Sequence, residues 1–142
     1  MRRDVILDTG PLVAFLNRRD RYHQWVVEQW AGIEPPLLTC EPVLSEACFL
    51  LSRIQGGQEA VFELLRRKVL DVSFKLNQHL ERLSFLINKY CELPISLADA
   101  CLIRMAELYP ESSVFTLDKD FKIYKKDRAK VIPILYPHRR KR

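Results

Sequence analysis

Val5-Ile6-Leu7-Asp8-Thr9-Gly10-Pro11 constrains the fold of this chain more than any other stretch. Three consecutive apolar residues, two of them β-branched, read as a short strand buried on both faces. Thr9, Gly10 and Pro11 then offer an N-cap, a tight turn and a residue whose fixed φ suits the start of a helix. Leu12, Val13, Phe15 and Leu16 continue as a helical apolar face. Asp8 therefore stands at the carboxyl end of a buried first strand and beside a helix N-terminus. In open α/β sheets that is where ligands bind. One acid at such a place is most simply a solvated turn residue. The other acids of the chain make that plain reading harder to keep.

The same alternation continues along the chain. Residues 20–31 have helical spacing, with Tyr22, Trp25, Val26 and Trp30. Pro35-Pro36 breaks the chain before a short strand at Leu37-Leu38. Thr39 is placed to cap a long helix running to about Ile54, and Gln55-Gly56-Gly57 is a turn. A helix over 58–69 and a strand over Val69–Phe74 follow. Asn77 would cap a helix through Tyr90 with Leu80, Leu83, Leu86 and Ile87 inward. Ser96 caps a further helix to about Leu108. Ser113–Leu117 is a strand, residues 119–126 a helical turn, and Val131–Ile134 a last strand that Pro133 confines to an edge. Strands alternating with helices imply an α/β fold: a central parallel β-sheet flanked by helices in a three-layer sandwich.

At 142 residues one domain is expected, here 1–137, followed by a basic tail over 138–142. No apolar run has transmembrane length, and acids interrupt the N-terminal segment early, so no membrane and a cytoplasmic location are expected. Cys40, Cys48, Cys91 and Cys101 lack any CxxC spacing and read as reduced, mostly buried thiols. The net charge of +5 favours polyanionic partners, nucleic acid first. In the tail, Arg139–Arg142 would contribute to such binding through charge alone. Phe15, Trp25, Trp30 and Phe49 exceed what one small core obviously needs, which points to self-association.

Three further acids resist a surface reading. Glu46 has Pro42, Val43, Phe49 and Leu50 as its helical neighbours, so a glutamate there is costly unless something pairs with it. The alternative is that it escapes at the rim of the helix. Asp99 has capping-box spacing from Ser96, which accounts for an acid near a helix start, yet it shares a face with Ile95, Leu102 and Ile103. Asp118 leaves an apolar strand, as Asp8 does. Asp118-Lys119-Asp120 is also good turn chemistry, and Asp120 competes with Asp118 for a place in a site. Together Asp8, Glu46, Asp99 and Asp118 would make one acidic pocket. Clustered carboxylates need protons or a cation. Oxygen ligands without His or Cys point to Mg²⁺ or Mn²⁺, and His23, His79 and His138 fall at no ligand spacing. Such a cation in a mildly basic protein suits phosphodiester hydrolysis.

Ile6-Leu7-Asp8-Thr9-Gly10-Pro11-Leu12, Ser45-Glu46, Ser96-Leu97-Ala98-Asp99-Ala100 and Thr116-Leu117-Asp118-Lys119-Asp120-Phe121 occur in this order. The pattern, from residue 4 to about 134, resembles the PIN-domain ribonucleases and most closely their VapC-type toxins. The resemblance implies a PIN-like fold, an endoribonuclease using Mg²⁺ or Mn²⁺ on an RNA substrate, a homodimer, and inhibition by a cognate antitoxin. It maps the catalytic acids onto Asp8, Glu46, Asp99 and Asp118, the metal contacts onto Asp8 and Asp99, and supporting hydroxyls onto Thr9 and Thr116. Two other phosphate-handling families share the architecture. A haloacid-dehalogenase-like phosphatase wants an acid where Gly10 stands, and a receiver domain wants a phosphoacceptor Asp where Phe74-Lys75 ends a strand. No phosphate-binding glycine loop is present. The remaining alternative is a catalytically silent PIN-like RNA- or protein-binding module.

Overall fold

The computed structural model describes residues 1–138; Arg139–Arg142 of the expected tail lie outside the described residues. The first strand, β1 (Val5–Leu7), is wholly buried and runs into α1 (Thr9–Leu16). Then come α2 (His23–Ala31), β2 (Leu37–Leu38), α3 (Glu41–Leu50), α4 (Gly57–Arg66) and β3 (Leu70–Asp71). A 3-10 turn at Leu76–Gln78 leads to α5 (Leu80–Lys89), α6 (Leu97–Leu108) and β4 (Ser113–Phe115). A second 3-10 turn (Lys119–Lys122) precedes β5 (Lys125–Lys126), β6 (Lys130–Val131) and β7 (Ile134–Leu135).

Five strands form one parallel sheet in the order β3-β2-β1-β4-β7. The chain steps outward from β1 to β2 and β3, then returns to lay β4 and β7 on the other side. The reversal falls between β1 and β4, where Ile6 lies opposite Val114 and Leu7 opposite Phe115. At such a switch point the loops leaving two neighbouring strands diverge and open a crevice above their carboxyl ends. Asp8 follows one of these strands and Asp118 the other.

The core is continuous, from β1 and α1 through α6 to Phe121 and Tyr124. Trp30 stacks on Phe15 with ring centres 3.9 Å apart, and both Trp30 and Trp25 meet Phe115 edge-on. Each fully buried aliphatic or aromatic side chain contributes about 1.5–3 kcal/mol relative to exposure. Of the four large residues expected to be surplus to the core, Phe15, Trp25 and Trp30 are thus part of it or packed against it, and only Phe49 is not, at 77% exposed.

Several local expectations are corrected. Asp8, not Thr9, is the N-cap of α1, its side chain accepting from the Thr9 amide. Pro11 falls in the first turn, where no intrahelical N–H is required. Thr39 does not cap α3: its hydroxyl donates to the Leu7 carbonyl at 2.9 Å, and Cys40 takes the cap position. α3 stops at Leu50, and α5 begins after His79 and turns Leu80 and Ile87 outward. Val131–Ile134 is not one strand. Pro133 divides it into β6, which pairs antiparallel with β5, and the sheet-edge β7. The four cysteines are free thiols, but Cys91 is exposed and Cys48 only part-buried. No described helix is long and apolar enough to cross a membrane.

Candidate active site

Above the switch point lies a cavity of about 660 Å³ lined by Asp8, Thr9, Gly10, Glu46, Ser96, Asp99, Leu117, Asp118, Lys119 and Tyr136. It gathers the four acids singled out in the sequence from four separate elements. Asp118 is part of its lining and Asp120 is not.

Asp8 sits deepest. β1 delivers it to the sheet edge, and its own amide donates to the Phe115 carbonyl at 3.0 Å, locking it against β4. One carboxylate oxygen accepts from the Thr9 amide at 2.7 Å and the other from the Thr116 hydroxyl at 2.7 Å. The Thr116 oxygen accepts in turn from the Asp118 amide at 2.9 Å, so its hydrogen is free to point at Asp8. Burial pushes the Asp8 carboxyl from an ordinary 3.8 up to about 7. The Thr116 and Thr9 hydrogen bonds oppose that rise, and the charges of Asp99 and Asp118 add to it. Gly10 keeps the two strand exits close, because a Cβ there would stand 3.2 Å from the Leu117 Cβ.

Asp99 performs both roles open to it. Its amide donates to the Ser96 hydroxyl at 3.0 Å and its carboxylate accepts from the Ser96 amide at 3.4 Å, closing a capping box. The same carboxylate oxygen accepts from the Tyr124 hydroxyl at 3.2 Å. Burial raises its pKa, the Ser96 and Tyr124 bonds pull it back, and the charges of Asp118 and Glu46 push it up. The Tyr124 phenol is driven upward by burial and by Asp99, so it remains a donor. Asp118 reaches the cavity while one of its oxygens accepts from the Asp120 amide at 2.9 Å, capping the 3-10 turn.

Glu46 takes the second of the two placements its sequence leaves open, at the rim of α3. Phe49 and Leu50 are exposed, and so is Glu46, so that face of α3 carries no burial cost for a carboxylate. It reaches the cavity from the rim, where its carboxylate accepts from the Thr9 hydroxyl at 3.0 Å. Tyr124, Lys119 and Tyr136 complete the surroundings and were not singled out beforehand. Nothing in the local sequence says that a tyrosine 25 positions away returns its hydroxyl to Asp99.

The donors are hard oxygens, which suit Mg²⁺ or Mn²⁺. Among the described residues no three His, Cys, Asp or Glu side chains are grouped to hold one ion between them.

Similarity to known proteins runs through this same region. The crystal structure of Mycobacterium tuberculosis VapC20, described as a sarcin-ricin loop cleaving toxin, matches with a TM-score of 0.71. It is 24% identical, and the match covers 84% of this chain and 94% of that one, which is a likeness of fold. No curated protein matches the sequence. A family model described as PIN domain matches residues 5–127, from the first residue of β1 to the turn between β5 and β6. All four acids of the cavity lie within that span, and the chain belongs to the PIN domain family.

Proposed function

We propose that this chain is an endoribonuclease that hydrolyses RNA phosphodiester bonds with Mg²⁺ or Mn²⁺, and that it acts in the cytoplasm as a VapC-type toxin held in check by a cognate antitoxin. The observation that carries the reading is Asp8: a carboxyl buried at a sheet switch point, titrating near neutrality, with three more acids around one open cavity. Its likeness in fold to an RNA-cleaving toxin supports the substrate class.

Asp8 and Asp99 would hold the cation, whose charge lowers the pKa of water and offsets charge on the phosphate. The chain's own residues do the rest. Thr116 and Thr9 fix both oxygens of Asp8, and Ser96 and Tyr124 fix Asp99, so neither carboxylate has to reorganise. Glu46, at the rim and steadied by Thr9, takes the proton of the attacking water. Water adds to phosphorus, one P–O ester bond breaks, and the departing oxygen takes up a proton from solvent to leave as a hydroxyl while the water's oxygen stays on the phosphate. Lys119, the cation of the lining, faces the phosphate, and Asp118 shapes the wall beside it. We assign self-association, as a homodimer, to the exposed apolar residues Phe49, Leu50 and Phe62 of α3 and α4.

The test is cleavage of a labelled single-stranded RNA. Wild type should cut internally with Mn²⁺ or Mg²⁺ and not with EDTA. Asp8→Asn and Asp99→Asn should each lose cleavage while keeping the near-UV dichroism of the folded chain. EDTA-resistant cutting, or full activity in both variants, overturns the reading. RNA binding without cutting in either metal would make the chain a silent binding module.

A further inference from the structure

We propose that a second cavity, between the start of α3 and the segment after β3, is a subsite for one unstacked guanine base of the RNA. The inference rests on the ribonuclease reading above and names what that site selects. The cavity has a volume of about 320 Å³ and is lined by Glu41, Pro42, Ser45, Phe74 and Leu76. Pro42, Phe74 and Leu76 are its apolar walls. Glu41 and Ser45, one helical turn apart and both exposed, make a polar edge on one face of α3. Apolar faces with hydrogen-bonding groups confined to one rim is the chemistry that receives a splayed-out base.

The aromatic wall is fixed before any ligand arrives. Phe74 stacks on the His79 ring, with centres 4.9 Å apart and planes 14° from parallel. Arg104 Nε donates to His79 Nδ1 at 3.1 Å, and Arg104 is held by Glu107, which also pairs with Arg82. A preformed wall removes part of the ordering cost of binding.

Position ties this cavity to the reaction. Ser45 lines it, and the next residue, Glu46, lines the acidic cavity. Pro42 lines it too, one helical turn before Glu46 on the same face of α3, so both cavities open onto that face. An RNA strand crossing the helix here places a phosphodiester among the acids and a neighbouring base against Phe74. Lys75, exposed in sequence between Phe74 and Leu76, forms no ion pair among the described residues and is available to the sugar–phosphate backbone.

Glu41 decides which base. A carboxylate accepts and does not donate. Guanine presents two adjacent donors, N1–H and N2–H, which match its two oxygens. Adenine and cytosine present an amino group beside an acceptor. Uracil presents one N–H between two carbonyls, which a carboxylate repels. A bidentate contact of this kind discriminates by roughly five- to 150-fold.

Two measurements test this. The bases flanking each cut are read from a randomised single-stranded RNA pool digested with Mn²⁺. Separately, fluorescent pentaribonucleotides with G, A, C or U between adenines are titrated into the protein in EDTA, so that binding is read without cutting. Guanine should exceed uracil in both by the margin above. Glu41→Gln should bring that ratio toward one, and Ser45→Ala should lower it, with thermal unfolding unchanged in the second. Cutting and binding without base preference, or a preference unaltered in Glu41→Gln, overturns the subsite. A Glu41→Gln protein that keeps its RNA preference but loses a protein partner gives the cavity to that partner and overturns it equally. Guanine-selective binding without cutting in either metal would sink the nuclease reading and leave the subsite standing.

Discussion

Replacing Asp8 by Asn keeps the size of the side chain and removes its titration. The folded carboxyl titrates near 7 against an ordinary 3.8, so between those values the folded state holds a proton that the unfolded chain has released. The stability this proton contributes is complete below about 3.8 and is lost as pH rises through about 7. At about 1.36 kcal/mol per pH unit, the whole effect is roughly 4 kcal/mol, of which about 3 falls between pH 5 and pH 8.5. Asp99, also raised by burial, acts with the same sign. The variant loses this slope. It also turns an amide N–H toward one of the two donors, Thr9 N–H or Thr116 O–H, that wild type satisfies, at a cost of about 1–3 kcal/mol. Wild type should therefore be the more stable protein at pH 5, with the difference shrinking or reversing by pH 8.5. Urea unfolding in EDTA, followed by tryptophan fluorescence, measures it directly, since Trp30 lies in the core against Phe15. Excess Mn²⁺ at pH 8.5 should raise the stability of wild type and leave Asp8→Asn almost unmoved. Stability curves that run parallel from pH 5 to pH 8.5 would mean that Asp8 is an ordinary helix cap, and the argument for a strained acidic cavity would fail.

Thr116→Val preserves volume but withdraws the donor to Asp8 and the acceptor for the Asp118 amide. It should cost about 1–3 kcal/mol, more at pH 8 than at pH 5 because the hydroxyl holds the Asp8 pKa down; equal losses at the two pH values would contradict this. Phe49→Ser combined with Leu50→Ser should leave stability within about 0.5 kcal/mol per site, as exposed substitutions do, while light scattering shows the dimer dissociating. Undiminished association would remove this face of α3 from the interface.

What could be read beforehand follows from how locally each feature is encoded. β1 and the start of α1 are legible because three apolar residues, an acid, a glycine and a proline specify a strand, a turn and a helix within seven positions. The Ser96–Asp99 capping box is equally local, and both bonds form. The convergence of Asp8, Glu46, Asp99 and Asp118 was reachable from their places relative to strands and helices, since parallel strands share one carboxyl edge. Their supports were less accessible. That Asp8 rather than Thr9 caps α1 depends on which of two adjacent polar side chains the sheet leaves facing the helix. For Glu46 the apolar neighbours Val43, Phe49 and Leu50 leave both a buried face and the rim open, and hydrophobicity alone does not say that Phe49 and Leu50 stand in water. Pro133 signalled an edge, but only the pairing of β6 with β5 shows that the segment breaks there.

The pairing of β1 with β4 also bears on the order in which the molecule assembles. Val5 lies opposite Ser113, and Asp8 takes its hydrogen bond from Thr116 across 108 residues. Such contacts are rewarded only after a long loop has closed, so they form late in folding. Helix pairs close in sequence, such as α5 and α6, can dock well before then, and hydrogen exchange during refolding should show their amides protected ahead of those joining β1 to β4. Until that loop closes, Asp8 lacks Thr116 and Asp118, and β4 lacks the β7 strand that pairs with it. The acidic cleft is therefore among the last features of the fold to be completed, after the helices that surround it have docked.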